Sequence, residues 1–284
     1  MDNGVEVLRY TAFSDDPSGG NPAGVVLDAN GLDDATLLRI AHDVGYSETA
    51  FLWPLPRPGD YTIRYFSPVA EVPFCGHATI ASAVALADQG AGGELRFQTP
   101  AGEVAVRVHA DGSRRTVATL TSVTPSVSET PAAIVAEALA ALGWQEDDID
   151  PQLPPRIAFA GAHHLVFGVR SRELLSRLSY DFERLRQLMT AEDWTTIQLV
   201  WREGPAIFHS RVPFPVGGVV EDPATGAAAA ALGAYLRELG AVQPPATITI
   251  HQGDDMGRPS LIAVEIDPGS GGIRVAGTAV PIPA

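Results

Sequence analysis

The sequence carries one short pattern twice, about half the chain apart, and the two copies restrict the folds available to it. The first copy covers Arg64–Pro68 and Glu71–Thr79, and the second covers Arg211–Pro215 and Glu221–Ala228. Each copy predicts a strand, a turn containing proline, a glycine, and an alanine-rich helix that starts at or just beyond that glycine. The pattern therefore predicts two similar halves, each built around one helix.

Each predicted helix begins in a way that suits an anion. Small residues after Gly76 and Gly226 let another group approach the helix start closely. Free backbone N–H groups and the helix dipole favour negative charge at that point. Two such ends facing each other predict a small pocket for a carboxylate-bearing molecule, and two buried core helices with no ligand are the alternative.

The basic residues exclude several classes of enzyme. The 284 residues contain 19 basic side chains, and all of them are arginine. Without lysine, the chain cannot form a pyridoxal-phosphate Schiff base, act as a lysine-dependent aldolase or bind phosphate with a P-loop lysine. Because no dinucleotide fingerprint is present either, we expect no cofactor.

Charge and cysteine content limit the partners and the compartment. A formal net charge of −15 disfavours nucleic acid, which needs a basic surface. No apolar run approaches the roughly 20 residues of a membrane span, so we expect no membrane contact. A single cysteine rules out an intrachain disulfide and fits a reducing cytoplasm.

The remaining patterns predict an α+β protein with two domains. Strand patterns between residues 95 and 121 form an antiparallel meander, and helices are predicted at Ala132–Leu142 and Arg172–Met189. The Ser-, Thr- and Pro-rich stretch Ser122–Thr130 is the best linker candidate. We therefore expect domains at 1–124 and 125–284, with the last strand, about 273–284, as a candidate addition to the first.

Glu48 is unusual for its surroundings. It lies in a predicted strand of otherwise neutral residues, on the same face as Ala50 and Leu52. A carboxylate among apolar neighbours holds its proton more tightly than in water, which suits proton exchange near neutral pH. A strand-end glutamate in solvent, or one paired with an arginine, would produce the same pattern.

His77 and Asp222 are the other candidates for proton transfer and ligand binding. His77 follows the first helix-start glycine, where an imidazole can donate to an anion or relay a proton. Asp222 precedes Pro223 shortly before Gly226 and could bind an amine or hydroxyl group. The alternatives are helix capping and packing for His77 and an ordinary turn opener for Asp222.

Cys75 invites a comparison with racemases that use two opposed thiols. That mechanism needs a second cysteine in the other copy, where the matching residue is Thr225. We therefore interpret Cys75 as a small packing residue beside the site. The histidines His163, His164 and His251 lack ligand spacing, so we expect no metal.

Five blocks in order resemble the PhzF family, the phenazine biosynthesis-like isomerases that share the diaminopimelate epimerase fold. These blocks are Gly20–Val26, Ser47–Phe51, Glu71–Thr79, Glu221–Gly226 and Met256–Ser260. The resemblance runs nearly from end to end. It implies two pseudo-symmetric domains, each a curled, mostly antiparallel sheet around a central helix, with the site in the cleft between them and a homodimer as the assembly.

The resemblance also implies residue roles. It makes Glu48 the acid/base, assigns His77 and Asp222 to binding and protonating the substrate, and has the helix ends at Gly76 and Gly226 hold its carboxylate. Three further residues in or beside the matching blocks are expected to line the site: Asn21, Cys75 and Ala227.

The implied reaction moves a proton between carbons of a small carboxylate-bearing substrate, as in the isomerisation of trans-2,3-dihydro-3-hydroxyanthranilate. The second turn departs from the family pattern, because Ala227 stands where the family usually has serine. The missing hydroxyl puts the phenazine-pathway substrate in doubt. A glutamate-based epimerase or racemase of an amino acid derivative and a non-catalytic metabolite-binding member remain alternatives.

Overall fold

The computed structural model describes residues 5–283 and divides the chain into two compact units. The N-terminal unit comprises the chain up to Thr121 and the segment from Ala276 onward, and the C-terminal unit comprises Ser122–Val275. Both units combine a mixed sheet with helices, so the fold is α+β, as the sequence predicts.

Strands outnumber helices along residues 5–283. The strands are β1 (Leu8–Ala12), β2 (Asn21–Val26), β3 (Glu48–Pro54), β4 (Asp60–Phe66), β5 (Glu71–Val72), β6 (Gly93–Thr99), β7 (Gly102–Ala110), β8 (Thr116–Thr121), β9 (Ser126–Glu129), β10 (Arg156–Phe159), β11 (His163–Gly168), β12 (Thr196–Arg202), β13 (Ile207–Arg211), β14 (Ala246–Gln252), β15 (Ser260–Ile266) and β16 (Arg274–Pro281). The helices are α1 (Asp34–Val44), α2 (Gly76–Asp88), α3 (Ala132–Leu142), α4 (Arg172–Ser176), α5 (Phe182–Ala191) and α6 (Gly226–Glu238).

The sheet of the N-terminal unit closes on itself around α2. Its strands follow the order β1-β2-β3-β4-β6-β7-β8-β16, and β16 pairs again with β1, where Tyr10 lies opposite Pro281. Every residue of α2 from His77 to Leu86 is buried. A helix buried on all sides needs small side chains to fit inside a curled sheet, which explains its alanine-rich sequence.

The C-terminal unit repeats this arrangement around α6. Its strands follow the order β9-β10-β11-β12-β13-β14-β15, and the α6 residues from Ala228 to Leu236 are buried. A separate apolar cluster joins α3, α4 and α5 to this sheet and includes Trp144, Leu185 and Leu199. The outer helices therefore shield the side of the sheet that α6 does not cover.

The two units share the same sequence of strand pairings. From β1 through β4 and β6 to β7 the neighbours alternate antiparallel, parallel, antiparallel, parallel, antiparallel, and β10 to β15 follow the same series. The registers also agree, since Arg64 lies opposite Phe51 and Arg211 lies opposite Leu199. The repeated sequence pattern thus corresponds to a repeated backbone.

Local signals set several of the predicted elements. In α1, the Asp33 side chain accepts a hydrogen bond from the Thr36 N–H, and Gly45 ends the helix in the left-handed conformation. Gly143 ends α3 in the same way, at the predicted position. The predicted antiparallel meander is present as β6, β7 and β8.

Two sequence-based predictions need revision. The boundary between the two units falls at the start of the predicted linker Ser122–Thr130, but Ser126–Glu129 within that stretch pairs with β10 as an edge strand. The single helix predicted at Arg172–Met189 is two helices. Asp181 begins the second by accepting a hydrogen bond from the Arg184 N–H, and this local cap outweighs the continuous helical pattern.

A helix that crosses a bilayer must be both long and apolar. Within residues 5–283, none of the helices meets both requirements.

Candidate active site

Three predicted residues meet in the N-terminal unit, where the start of β3 approaches the start of α2. Glu48 is the first residue of β3, Cys75 is the N-cap of α2, and His77 lies in its first turn. The His77 side chain is 7% exposed and that of Glu48 is 15% exposed. The carboxylate is therefore largely shielded but still reachable from solvent.

The contacts among these side chains are direct. Glu48 Oε2 lies 3.4 Å from His77 Nε2, and Cys75 Sγ lies 3.6 Å from the same carboxylate oxygen. Cys75 Sγ is also 3.3 Å from His77 Nδ1. A carboxylate, an imidazole and a thiol, all capable of holding a proton, thus share one small volume.

Two further side chains hold the imidazole. The Asn21 amide, at the start of β2, lies 3.2 Å from His77 Nδ1, and Ser47 Oγ lies 3.4 Å from Nε2. With the Asn21 Nδ2 group donating to Nδ1, the ring proton is on Nε2 and faces Glu48. Asn21 is 1% exposed, so the imidazole is held by a buried partner.

The helix start beside this cluster has backbone N–H groups that no N-cap side chain covers. Cys75 makes no side-chain capping bond at the start of α2. Its carbonyl instead accepts from the Thr79 hydroxyl at 2.7 Å, and Thr79 is 2.7 Å from the Tyr65 hydroxyl. These bonds fix the first turn, and Gly76 has no side chain to obstruct an approaching anion.

In the C-terminal unit, Asp222 is held in the turn before α6. The Thr225 hydroxyl donates to Asp222 Oδ2 at 2.6 Å, and Gln252 Nε2 donates to the Asp222 carbonyl at 2.8 Å. Gln252 Nε2 also lies 3.0 Å from Thr225 Oγ1. Asp222 is 9% exposed, so this network orients a nearly buried carboxylate.

The start of α6 matches the start of α2 in its backbone. Thr225 makes no capping bond with its side chain, because its hydroxyl is turned towards Asp222. Gly226 is the buried first residue of α6, and Ala227, at the position equivalent to His77, is half-buried. Here too the first N–H groups of the helix lack a side-chain cap.

Each repeated turn is also held by an arginine–glutamate pair. Arg64 donates two hydrogen bonds of 2.7 Å to Glu71, and Arg211 Nε donates to Glu221 at 2.8 Å. Bonding to Glu71 and Asp34 raises the pKa of Arg64 above its ordinary value. Bidentate pairing fixes both partners in direction as well as distance, so it sets the shape of the turn before each helix.

His164 belongs to the core. Burial lowers its pKa to about 3, with a smaller contribution from the neighbouring His163. Its Nδ1 lies 2.7 Å from the Thr196 hydroxyl. A fully buried, neutral imidazole with this bond is a structural group of the C-terminal unit.

Sequence reasoning did not single out Ser47 or Gln252. Ser47 lay inside a recognised block, so its position beside Glu48 was the available signal. Gln252 ends β14 far along the chain from Asp222, and nothing in its local sequence indicates that contact.

Comparison with known proteins assigns the family. Residues 10–283 match the model of the family described as phenazine biosynthesis-like protein, PhzC-PhzF. The chain belongs to this family. It is 33% identical to a trans-2,3-dihydro-3-hydroxyanthranilate isomerase of Pseudomonas fluorescens, over 88% of this chain and 86% of that protein.

Solved structures agree with the assignment to the PhzF family. A Bacillus anthracis protein of the PhzF family superimposes with a TM-score of 0.89 at 25% identity, covering 98% of this chain and 97% of that one. A probable proline racemase from Agrobacterium radiobacter reaches a TM-score of 0.66 at 13% identity, covering 97% of this chain and 90% of that one. The second comparison shows a shared fold alone.

Proposed function

We propose that this PhzF-family protein is an isomerase in which Glu48 moves a proton between two carbon atoms of a small carboxylate-bearing molecule. An isomerase is the class supported by the name of the Pseudomonas fluorescens relative. The observation that carries the specific role is the shielded contact between Glu48 Oε2 and His77 Nε2. The absence of lysine supports a reaction that needs no covalently held pyridoxal phosphate.

The proposed reaction balances without an external acceptor. Glu48 as a carboxylate takes a proton from a carbon next to an unsaturated or carbonyl group, and the electron pair of that C–H bond forms a new double bond. The original double bond shifts, and the protonated Glu48 returns the proton to the carbon at its far end. His77, held by Asn21, donates to Glu48 and keeps its reactive oxygen in one direction.

The substrate carboxylate is assigned to the uncapped helix start at Gly76, in the same unit as Glu48. The first backbone N–H groups of α2 are not covered by an N-cap side chain. In the C-terminal unit, Asp222, oriented by Thr225, is proposed as a partner for an amine or hydroxyl group of a ligand, and the uncapped start of α6 at Gly226 as an anion-binding group. Cys75 borders the reacting carboxylate, and Ala227 leaves the start of α6 without a side-chain hydroxyl.

These features support small cyclic or unsaturated amino and hydroxy acids as the proposed substrate class. The compound in the relative's name, trans-2,3-dihydro-3-hydroxyanthranilate, is the first to test. Because Ala227 cannot donate from a side chain, we expect weaker binding of substrates that need a hydroxyl contact there.

Proton exchange in deuterated water tests the proposal. A panel of such acids is incubated with the protein, and NMR follows deuterium incorporation and the position of the double bond. We expect Glu48→Gln to lower the rate about 10²- to 10⁴-fold, since it keeps the shape and removes the base. Glu94→Gln, which neutralises a 70% exposed strand glutamate, is the matched control and should leave the rate unchanged.

The same experiment separates the other outcomes. Deuterium at an inverted stereocentre with no shift of the double bond would identify an epimerase. Turnover that survives in Glu48→Gln would remove Glu48 from the mechanism. Tight binding of an acid with no exchange in the unmodified protein would indicate a metabolite-binding protein instead.

A further inference from the structure

The side-chain types around Glu48 also suit a metal ion. Glu48, Cys75 and His77 place a carboxylate oxygen, a sulfur and an imidazole nitrogen within 4.8 Å of one another. These are the three donor types that Zn²⁺ binds in proteins. Among residues 5–283 this is the one group of three or more such side chains that meets this spacing.

The distances between the donor atoms fit a tetrahedral ion. Zinc bonds of about 2.3 Å to sulfur and about 2.0–2.1 Å to nitrogen or oxygen put tetrahedral ligand atoms about 3.5 Å apart for sulfur with nitrogen or oxygen, and about 3.3 Å apart for nitrogen with oxygen. The observed separations are 3.8 Å for Cys75 Sγ to His77 Nε2, 3.6 Å for Cys75 Sγ to Glu48 Oε2, and 3.4 Å for His77 Nε2 to Glu48 Oε2. Cys75 Sγ lies nearer to His77 Nδ1, at 3.3 Å, than to Nε2, so the Cys75 side chain must rotate towards the Nε2 side of the ring to complete three ligand positions.

Charge and hydrogen bonding also favour this cation. A thiolate and a carboxylate balance the two charges of Zn²⁺ inside a nearly buried site, and the thiol proton passes to solvent. Binding through Nε2 places the ring proton of His77 on Nδ1. The Asn21 amide 3.2 Å away has both donor and acceptor atoms, and its oxygen can accept that proton as a supporting partner.

We propose that Glu48, Cys75 and His77 form a Zn²⁺ site and that Zn²⁺ bound there is a reversible inhibitor. The ion occupies the Glu48 oxygen that would otherwise accept the substrate proton. Inhibition therefore rests on the proposed function, whereas binding does not.

Comparison with the C-terminal unit predicts how many zinc ions bind to each chain. The positions equivalent to Glu48, Cys75 and His77 are Thr196, Thr225 and Ala227, none of which carries a strong zinc ligand. The site therefore belongs to the N-terminal unit, and we expect one ion per chain.

Cobalt provides a direct readout of the proposed ligands. Titration of the reduced protein with Co²⁺ should give tetrahedral visible bands and a thiolate-to-cobalt charge-transfer absorption, both saturating at one equivalent and displaced by Zn²⁺. A spectrum of an octahedral ion without the charge-transfer band would overturn the proposal. Mg²⁺, which prefers oxygen ligands, should not compete.

Variants identify the ligands separately. Cys75→Ala should abolish the charge-transfer band, and both Cys75→Ala and Glu48→Gln should weaken Zn²⁺ binding more than about tenfold by calorimetry. His209→Gln is the matched control, because His209 contacts Glu203 at 2.9 Å elsewhere and should leave binding unchanged. Unaltered affinity in both site variants, with circular dichroism confirming their fold, would refute the site.

An activity measurement tests inhibition. With any substrate that shows Glu48-dependent exchange, stoichiometric Zn²⁺ should stop turnover and a chelator should restore it. Full turnover with zinc bound would refute inhibition while leaving the metal site in place. Cobalt binding with no exchange on any substrate would instead count against the proposed function alone.

Discussion

The two units share a backbone plan but place different side chains at equivalent positions. The start of β3 carries Glu48, and the start of β12, in the same register, carries Thr196. The N-terminal helix begins Cys75-Gly76-His77, and the C-terminal helix begins Thr225-Gly226-Ala227. The strand order, the buried helix and the glycine are repeated, whereas the groups able to exchange a proton are not.

This difference shows that the repeat accounts for the fold of each unit but not for its reactive side chains. A parallel crossover with a buried helix needs small residues and a close turn, and both units meet that requirement in the same way. Proton transfer at a single site needs only one acid/base group. The C-terminal unit therefore needs no second acid/base group at these positions. Its turn has Asp222 where the N-terminal unit has Val72.

The arginine–glutamate pair that both turns share also differs in its surroundings. The Arg211 and Glu221 side chains are 12% and 3% exposed, against 27% and 34% for Arg64 and Glu71. The same pair is thus nearly buried in one unit and partly solvated in the other. Its contribution to stability should differ accordingly.

The largest expected effect concerns catalysis. Glu48→Gln should reduce proton exchange about 10²- to 10⁴-fold, and Asp222→Asn should cause a loss at least about tenfold smaller, because asparagine still accepts the Thr225 hydrogen bond. Exchange rates in deuterated water measure both. Equal losses would contradict the larger role proposed for Glu48.

A second comparison concerns the paired turns. Glu221→Gln should lower the free energy of unfolding by about 3–5 kcal/mol, since it leaves the Arg211 charge buried with its partner neutralised. The equivalent Glu71→Gln should cost up to about 1 kcal/mol. Urea denaturation of both variants measures the difference, and equal costs would contradict the role of burial.

A third test concerns the loop that supports Asp222. Gly253 has φ +78°, and a Cβ there would lie 2.3 Å from the Arg258 carbonyl oxygen and 2.8 Å from that of Pro223. Gly253→Ala should therefore cost at least about 2 kcal/mol. Gly257 has φ +71° but open space, so Gly257→Ala should cost about 1 kcal/mol. Thermal unfolding compares them, and a smaller loss for Gly253→Ala would show that the loop relaxes.

A fourth test concerns pH. Burial lowers the pKa of folded His164 to about 3, whereas the unfolded chain takes up that proton near 6.5. Stability from this group is thus complete above about pH 6.5 and falls by about 1.4 kcal/mol per unit as the pH drops towards 3. His164→Gln should flatten the pH dependence by that slope between pH 6 and 4.

The control for this pH effect is an exposed histidine. His42→Gln removes a side chain that is 72% exposed and should leave the slope as in the unmodified protein. Denaturation midpoints at several pH values provide the measurement. An unchanged slope in His164→Gln would show that His164 is not the titrating group.

The sequence was sufficient for features that depend on neighbouring residues. The Asp33 cap and the Gly45 end of α1 follow from hydrogen bonds and dihedral angles within a few residues. The repeated turn and the small residues beyond Gly76 and Gly226 can likewise be predicted from short stretches of sequence. Such signals also misled at Arg172–Met189, where the cap at Asp181 interrupts a helical pattern.

By itself, then, the sequence determined the repeated framework, the helix starts and the presence of Glu48, His77 and Asp222 as candidate groups. Only the tertiary structure decided which side chains meet: Glu48 with His77 and Cys75, and Asp222 with Gln252. Contacts between distant parts of the chain depend on strand order and register, for which no residue carries a local signal. The two units differ by single residues at equivalent positions. Those differences affect chemistry only because the strand register brings the side chains concerned into contact.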